Sequence, residues 1–227
     1  LIAEAVFTPR IGTLSADEST EARVPLRNEP VQARSTARLT ALLDAAASVI
    51  DEIGFERLTT AMVAHKAGAS IGTVYRYFPD RLVLLQALGA RNLDRVLAVL
   101  LTELRSPDHS SWQEAVDGAF DAFVDACRTE PGFRGLRVGD VIDLRPGVGE
   151  RPFSSLLADR MFDVLVDRFQ IPDTADVRLR FETAMLITDA VASRAFARDP
   201  QGDEAFLELG RQIVGETLAV ALATSTR

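Results

Sequence analysis

Between Leu58 and Arg81 the sequence gathers groups that suit one kind of chemistry. Thr73 offers a hydroxyl, Arg76 a guanidinium fork, Tyr75 and Tyr77 phenols, and Gly72 bare backbone. Such groups fit the base edges, thymine methyls and phosphates presented by a major groove. A plain helical hairpin with a polar outer face is the competing reading of this stretch. A third comes from Gly68-Ala69-Ser70-Ile71-Gly72, which matches the G-x-S-x-G pattern of a hydrolase nucleophile elbow.

The elements that must hold these groups are legible from caps and breakers. Thr59 or Thr60 can N-cap a short helix, which ends at Gly68, where positive φ is easily accommodated. Ser70 can cap a second helix, which ends before Pro79. Two short helices joined by a glycine turn form a helix-turn-helix. Ala64 permits close approach, and Val63, Ala67 and Val74 supply a shared core. On a helical wheel Ile71, Val74 and Phe78 fall within about 60° and are expected to pack inward. Gly72, Thr73, Arg76 and Tyr77 take the opposite arc, and Tyr75 lies between.

Residues 34–91 resemble the DNA-binding domain of the TetR family of transcriptional repressors. The resemblance rests on Ala47-Ser48-Val49-Ile50-Asp51-Glu52-Ile53-Gly54-Phe55, Leu58-Thr59-Thr60, Val63-Ala64 and Ala67-Gly68-Ala69-Ser70. It continues through Gly72-Thr73-Val74-Tyr75-Arg76-Tyr77-Phe78 and Asp80-Arg81. It implies base-facing roles for Gly72, Thr73 and Arg76. It implies phosphate contacts for Thr60, with Thr59 as an alternative, and for Ser70, Tyr75, Tyr77 and Arg81. Arg34 and Arg38 either reach flanking phosphates or are ordinary solvated arginines. Ala61 lacks the polar base contact that some relatives make, which leaves base reading to the second helix.

The hydrolase reading lacks its context. An elbow needs a preceding strand, and here the preceding segment reads as helix. Two histidines and one cysteine make no convincing metal cluster. No phosphate-binding glycine loop occurs, so no enzyme activity, metal or cofactor is expected.

The rest of the chain carries helical stripes and no comparable β alternation. Leu39 to Ile53, Leu82 to Leu104, Trp112 to Cys127, Phe153 to Phe169, and residues 174–198 and 203–223 all read as helices. The expected fold is all-α with roughly nine helices. Residues 1–30 read as a mobile tail, 31–80 as the helix-turn-helix domain and 81–227 as a helical effector-binding and dimerisation domain. Residues 139–150, with Gly139, Pro146, Gly147 and Gly149, read as a loop. Leu97, Leu101, Phe120, Phe123, Cys127, Phe133, Phe162 and Met185 are candidates to line an effector cavity. Thr188 and Asp189 are candidates to orient an apolar or aromatic effector in it. Cys127 reads as a small buried hydrophobe rather than a redox sensor.

In the resembled family the last two helices form a four-helix dimer interface. Ala184, Thr188 and Ala192 form a small-residue ridge, with Phe206, Leu209, Ile213, Leu218 and Leu222 as bulk. A two-fold homodimer would place two recognition helices on the half-sites of a palindromic double-stranded DNA operator. The resemblance thus implies a ligand-responsive repressor released by a small effector. The alternative is a small-molecule-binding or interaction module without operator function.

Composition bounds these readings. No apolar run reaches the 18 or so residues of a membrane span, and the first residues lack a signal peptide's basic region. The single cysteine fits a reducing, cytoplasmic setting. The net charge of −8 first argues against bulk attraction to nucleic acid. Its distribution removes that objection. Residues 1–30 carry 3 basic and 5 acidic side chains, residues 31–91 carry 7 and 5, and residues 92–227 carry 15 and 23.

Overall fold

The computed structural model describes residues 29–136 and 153–224. The expected tail, up to residue 28, and the expected loop at 139–150 lie outside these residues. The described chain forms eight α-helices and no strand, close to the helix count expected. They are α1 (Glu29–Ile53), α2 (Thr60–Lys66), α3 (Ile71–Tyr77), α4 (Arg81–Leu104) and α5 (Trp112–Thr129). After these come α6 (Phe153–Phe169), α7 (Ala175–Ala195) and α8 (Glu204–Thr224), and a short 3-10 turn, Phe55–Arg57, links α1 to α2. α1 begins before Arg34 and takes in two residues assigned to the tail. Pro30 is tolerated there because a first-turn N–H has no intrahelical partner.

Side-chain caps set the starts of the helices that build the site. The Met62 N–H donates to Thr59 Oγ1 at 3.2 Å, the Thr73 N–H to Ser70 Oγ at 3.1 Å and the Val83 N–H to Asp80 Oδ1 at 2.9 Å. Each such cap contributes about 1 kcal/mol. Of the two candidate caps before α2, Thr59 is the one used.

Two cores share one long helix. The head core joins Leu42, Ala46 and Ile50 of α1, Val63 and Ala64 of α2, Val74 of α3 and Phe78 just after it. Leu84, Leu85 and Leu88 of α4 complete it. Further along, Leu93, Val96, Leu97, Leu100 and Leu104 of the same helix enter the body core, formed with α5 to α8. The division expected at residue 80 therefore falls at the start of a continuous helix whose first turns belong to the head. α7 and α8 pack closely: a Cβ on Gly210 would lie 2.6 Å from Val191 Cγ1. None of the described helices is long and apolar enough to cross a membrane.

Candidate functional site

The head presents α2 and α3 outward, braced from behind. Val74 is 0% exposed and Phe78 1%, so they fix α3 to the head core. Gly68, with φ +57°, makes the turn, and the Ala69 N–H donates to the Ala64 carbonyl at 2.9 Å. Arg76 is exposed, and its guanidinium lies 5.4 Å from the centroid of the Tyr77 ring. Arg34, Arg38 and Thr59 are also exposed, as is the backbone at Gly72.

Several side chains depart from the wheel. Ile71, expected inside, is 46% exposed, because the head core extends only to Val74 and Phe78. Tyr77, expected outward, is half-buried against that core, with its hydroxyl 3.2 Å from Ser35 Oγ of α1. It ties α3 to α1. Thr60 is only 9% exposed, and its hydroxyl donates to Tyr75 Oη at 3.4 Å. Thr59 therefore offers the accessible hydroxyl. Tyr75 stands half out of the surface.

Arg81, expected at a phosphate, donates to the Phe55 carbonyl of the 3-10 turn, and its buried Nε has no hydrogen-bond partner among the described residues. The guanidinium is a pin between α4 and that turn. Arg81→Ala is expected to lower unfolding stability by about 1.5–3 kcal/mol, the range for a hydrogen bond to a charged group. Chemical denaturation checks it; an unchanged stability with weakened DNA binding would restore the phosphate role.

Ser70 does not sit in a nucleophile elbow. It follows α2 rather than a strand, and its Oγ lies 2.9 Å from Thr73 Oγ1 as well as capping α3. The one histidine that follows Ser70 in the sequence, His109, is engaged elsewhere, with Nε2 2.8 Å from Glu103 Oε1.

The body holds a partly open cavity of about 340 Å³ among α4, α5, α6, α7 and α8. Leu97, Phe120, Phe123, Cys127, Phe133, Met185, Thr188 and Asp189 line it as expected. Leu101 and Phe162 do not line it: Leu101 packs at the edge of the body core. Phe162 is 1% exposed, packed 5.5 Å from the Phe181 ring and 4.8 Å below the Arg178 guanidinium. The Thr188 hydroxyl donates to the Ala184 carbonyl at 2.9 Å within its own helix. Arg134 and Glu182 are polar liners that the apolar stripes did not signal. Ser155, 4% exposed, donates to Glu182 Oε1 at 2.5 Å.

Residues 131–136, which follow α5, touch both parts of the molecule. Phe133 and Arg134 face the cavity, and the Phe133 ring meets Phe123 edge-on at 6.0 Å. On the other side Leu136, 2% exposed, belongs to the head core. The Gly132 N–H donates to both carboxylate oxygens of Asp51 at 3.0 Å. Packing pushes the Asp51 carboxyl above its ordinary range, and the Gly132 hydrogen bond pulls it back. Asn92 Nδ2 donates to the Pro131 carbonyl at 3.3 Å, and Arg91 pairs with Asp44 at 2.6 Å across α4 and α1.

Comparison with known proteins matches this layout. Residues 42–88 fit the family described as "Bacterial regulatory proteins, tetR family", and residues 110–221 fit "Tetracyclin repressor-like, C-terminal domain". A solved TetR-family transcriptional regulator from Streptomyces coelicolor is 30% identical, with a TM-score of 0.66, over 82% of this chain and 99% of that one. The chain belongs to the TetR family. The HTH-type transcriptional repressor KstR of Rhodococcus jostii is 36% identical over 55 residues, 24% of this chain and 26% of that protein. The chain spans between 26% and 43% of the length of the curated regulators it matches. FadR from Bacillus subtilis, solved in complex with stearoyl-CoA, shares the fold at 17% identity and TM-score 0.57, over 79% of this chain and 97% of that one.

In this TetR-family chain the expected dimer residues divide. Ala184, Ala192 and Leu218 are only 2%, 5% and 4% exposed, which leaves them unavailable to a second copy. The small-residue ridge serves the packing inside one subunit. Leu209 and Ile213 are exposed; Leu222 is half-buried at the body core, and Phe206 is half-buried with Arg194 4.5 Å from its ring centroid. Leu179, Leu186 and Val220 are exposed apolar residues of α7 and α8 that were not anticipated.

Proposed function

We propose that this TetR-family regulator is a homodimeric repressor. It would bind a palindromic double-stranded operator through α3 and release it when a small apolar effector fills the body cavity. The observation that carries this reading is the segment 131–136, which lines the cavity with Phe133 and Arg134 and is buried in the head at Leu136. A ligand that favours a different position of Phe133 biases α1, and with it the attitude of the head. Release requires the effector to bind the two arrangements with different affinity.

Gly72, Thr73 and Arg76 meet base edges, while Thr59, Ser70, Tyr75, Arg34 and Arg38 meet phosphates. Leu179, Leu186, Leu209, Ile213 and Val220 mark the face that pairs with a second copy, which sets two α3 helices about one DNA turn apart. The apolar lining supports an apolar effector, as does the stearoyl-CoA held by FadR; the repressor named KstR supports repression.

The test is titration of labelled DNA from upstream of the gene, at low and moderate salt, against a scrambled duplex. Selective binding is expected, and no selectivity even at low salt would reject the reading. A second expected result concerns Gly72. A Cβ there would have Ser70 Oγ at 3.8 Å as its nearest neighbour, so alanine fits the free protein. Gly72→Ala is expected to raise helix stability by about 0.5–1 kcal/mol. It is also expected to weaken operator binding by about 1–3 kcal/mol, the cost of forcing a methyl into a packed contact. Thermal unfolding and DNA titration read the two effects separately.

A further inference from the structure

We propose that Ile71 is a specificity residue that reads a thymine methyl group in the major groove; this rests on the DNA-binding reading above. Between residues 33 and 91 the exposed large apolar side chains are Met62 at 43%, Ile71 at 46%, Tyr75 at 50% and Leu82 at 48%, the first three on α2 and α3 and the last at the start of α4. Ile71 is the first residue of α3. It lies outside the head core, and Val74 and Phe78 already anchor the helix. The head core is complete without its side chain.

The polar groups around it are engaged locally. Ser70 Oγ accepts from the Thr73 N–H at 3.1 Å and lies 2.9 Å from Thr73 Oγ1. Ile71 is therefore the exposed apolar group at the leading tip of α3, set between the Ser70 and Thr73 hydroxyls and beside the bare backbone of Gly72. Residues at the leading end of a recognition helix are the ones that meet base edges. On a major-groove edge the apolar feature is the C5-methyl of thymine. The exposed Arg34, Arg38 and Arg76 on the same head favour a polyanion over an apolar protein partner as the occupant. Arg76 and Ile71 then divide the work, the fork reading donors and acceptors and the isoleucine a methyl.

The experiment selects duplexes from a randomised library with the full-length protein, then replaces each selected thymine with deoxyuridine, which removes only the methyl. At one position in each half-site, wild-type binding is expected to weaken by roughly fourfold, the worth of one buried methyl. Ile71→Ala is expected to bind the thymine duplex about as weakly as wild type binds the uracil one, and to ignore the change at that position. Ile71→Val should retain part of the sensitivity. Helix content, thermal stability and binding to random DNA should be unchanged in both variants. If Ile71→Ala keeps the wild-type response at every thymine, or binds the selected duplex as tightly as wild type, the assignment is overturned. If wild type itself enriches no sequence, the DNA-binding reading fails, and this inference fails with it.

Discussion

Gly132→Ala is expected to cost about 2–4 kcal/mol of stability, combining left-handed backbone strain with overpacking. Gly132 has φ +73°, a conformation that an L side chain adopts at a cost. A Cβ there would also lie 2.9 Å from Ala47 Cα, and α1 backbone cannot turn aside as a long side chain would. The same residue supplies the N–H that both Asp51 oxygens accept, so displacing it breaks that contact as well. Gly68→Ala separates the two costs. Gly68 has φ +57° but no atom within 4 Å of its would-be Cβ, so only the strain, about 1–2 kcal/mol, should appear. Equal losses in the two variants would show that segment 131–136 is not packed against α1 as described.

The functional consequence of Gly132→Ala follows from where the segment leads. With Phe133 in the cavity wall and Leu136 in the head core, loosening the join should leave operator affinity largely intact and reduce the effector's power to change it. Couplings of this kind are about 1–3 kcal/mol, so most of a five- to hundredfold effector response should disappear. DNA titration with and without a compound that raises the thermal stability of the protein provides the measure. An undiminished response would place the coupling elsewhere, with α4 the next candidate because it runs through both cores.

Arg76→Ala is expected to reduce discrimination between the operator and its base-substituted variants by about 1–3 kcal/mol. The side chain is exposed and its guanidinium lies 5.4 Å from the centroid of the Tyr77 ring. Tyr77 is in turn held to α1 through Ser35, so the fork is presented from a fixed base. Arg34→Ala and Arg38→Ala should behave differently. They should weaken operator and random duplex alike and each reduce the salt dependence by about one unit of slope. Equal loss on operator and random DNA for Arg76→Ala would move it to the phosphate class.

The parts of this molecule that were legible in its sequence are those decided locally. Thr59, Ser70 and Asp80 cap helices because each lies just ahead of a short helical pattern, and Gly68 turns because a positive φ is needed there. Most of the residues picked for the cavity do line it, because apolar stripes on neighbouring helices converge, although they are a minority of its lining. What was not legible depends on partners distant in sequence. Ile71 shares a wheel arc with Val74, but periodicity does not say where the core ends. Arg81 is matched to a phosphate by type, yet the Phe55 carbonyl lies within its reach.

The ridge at Ala184 and Ala192 signals close helix approach without saying whether the other helix belongs to the same subunit. In the structure both alanines line the cavity of their own subunit, while α8 packs on α7 at Val191, where a Cβ on Gly210 would lie 2.6 Å from Val191 Cγ1. Segment 131–136 gave no periodic signal at all. Its role depends on Gly132 and Gly135, whose missing side chains admit Ala47 and Ile50.

The charge distribution limits how the head can work. Residues 31–91 carry 7 basic and 5 acidic side chains, while residues 92–227 carry 15 and 23. On the proposed reading, non-specific attraction is weak and readily screened, and tight operator binding would come from fitted contacts made twice by a dimer.

The most direct test of the central claim is fluorescence anisotropy at about 150 mM salt, with the full-length protein on the duplex it selects and on a scrambled duplex of equal length. Binding to the selected duplex at least about a thousandfold tighter is predicted, the lower end for specific DNA readers. Equal affinities for the two duplexes would contradict the claim that α3 reads sequence.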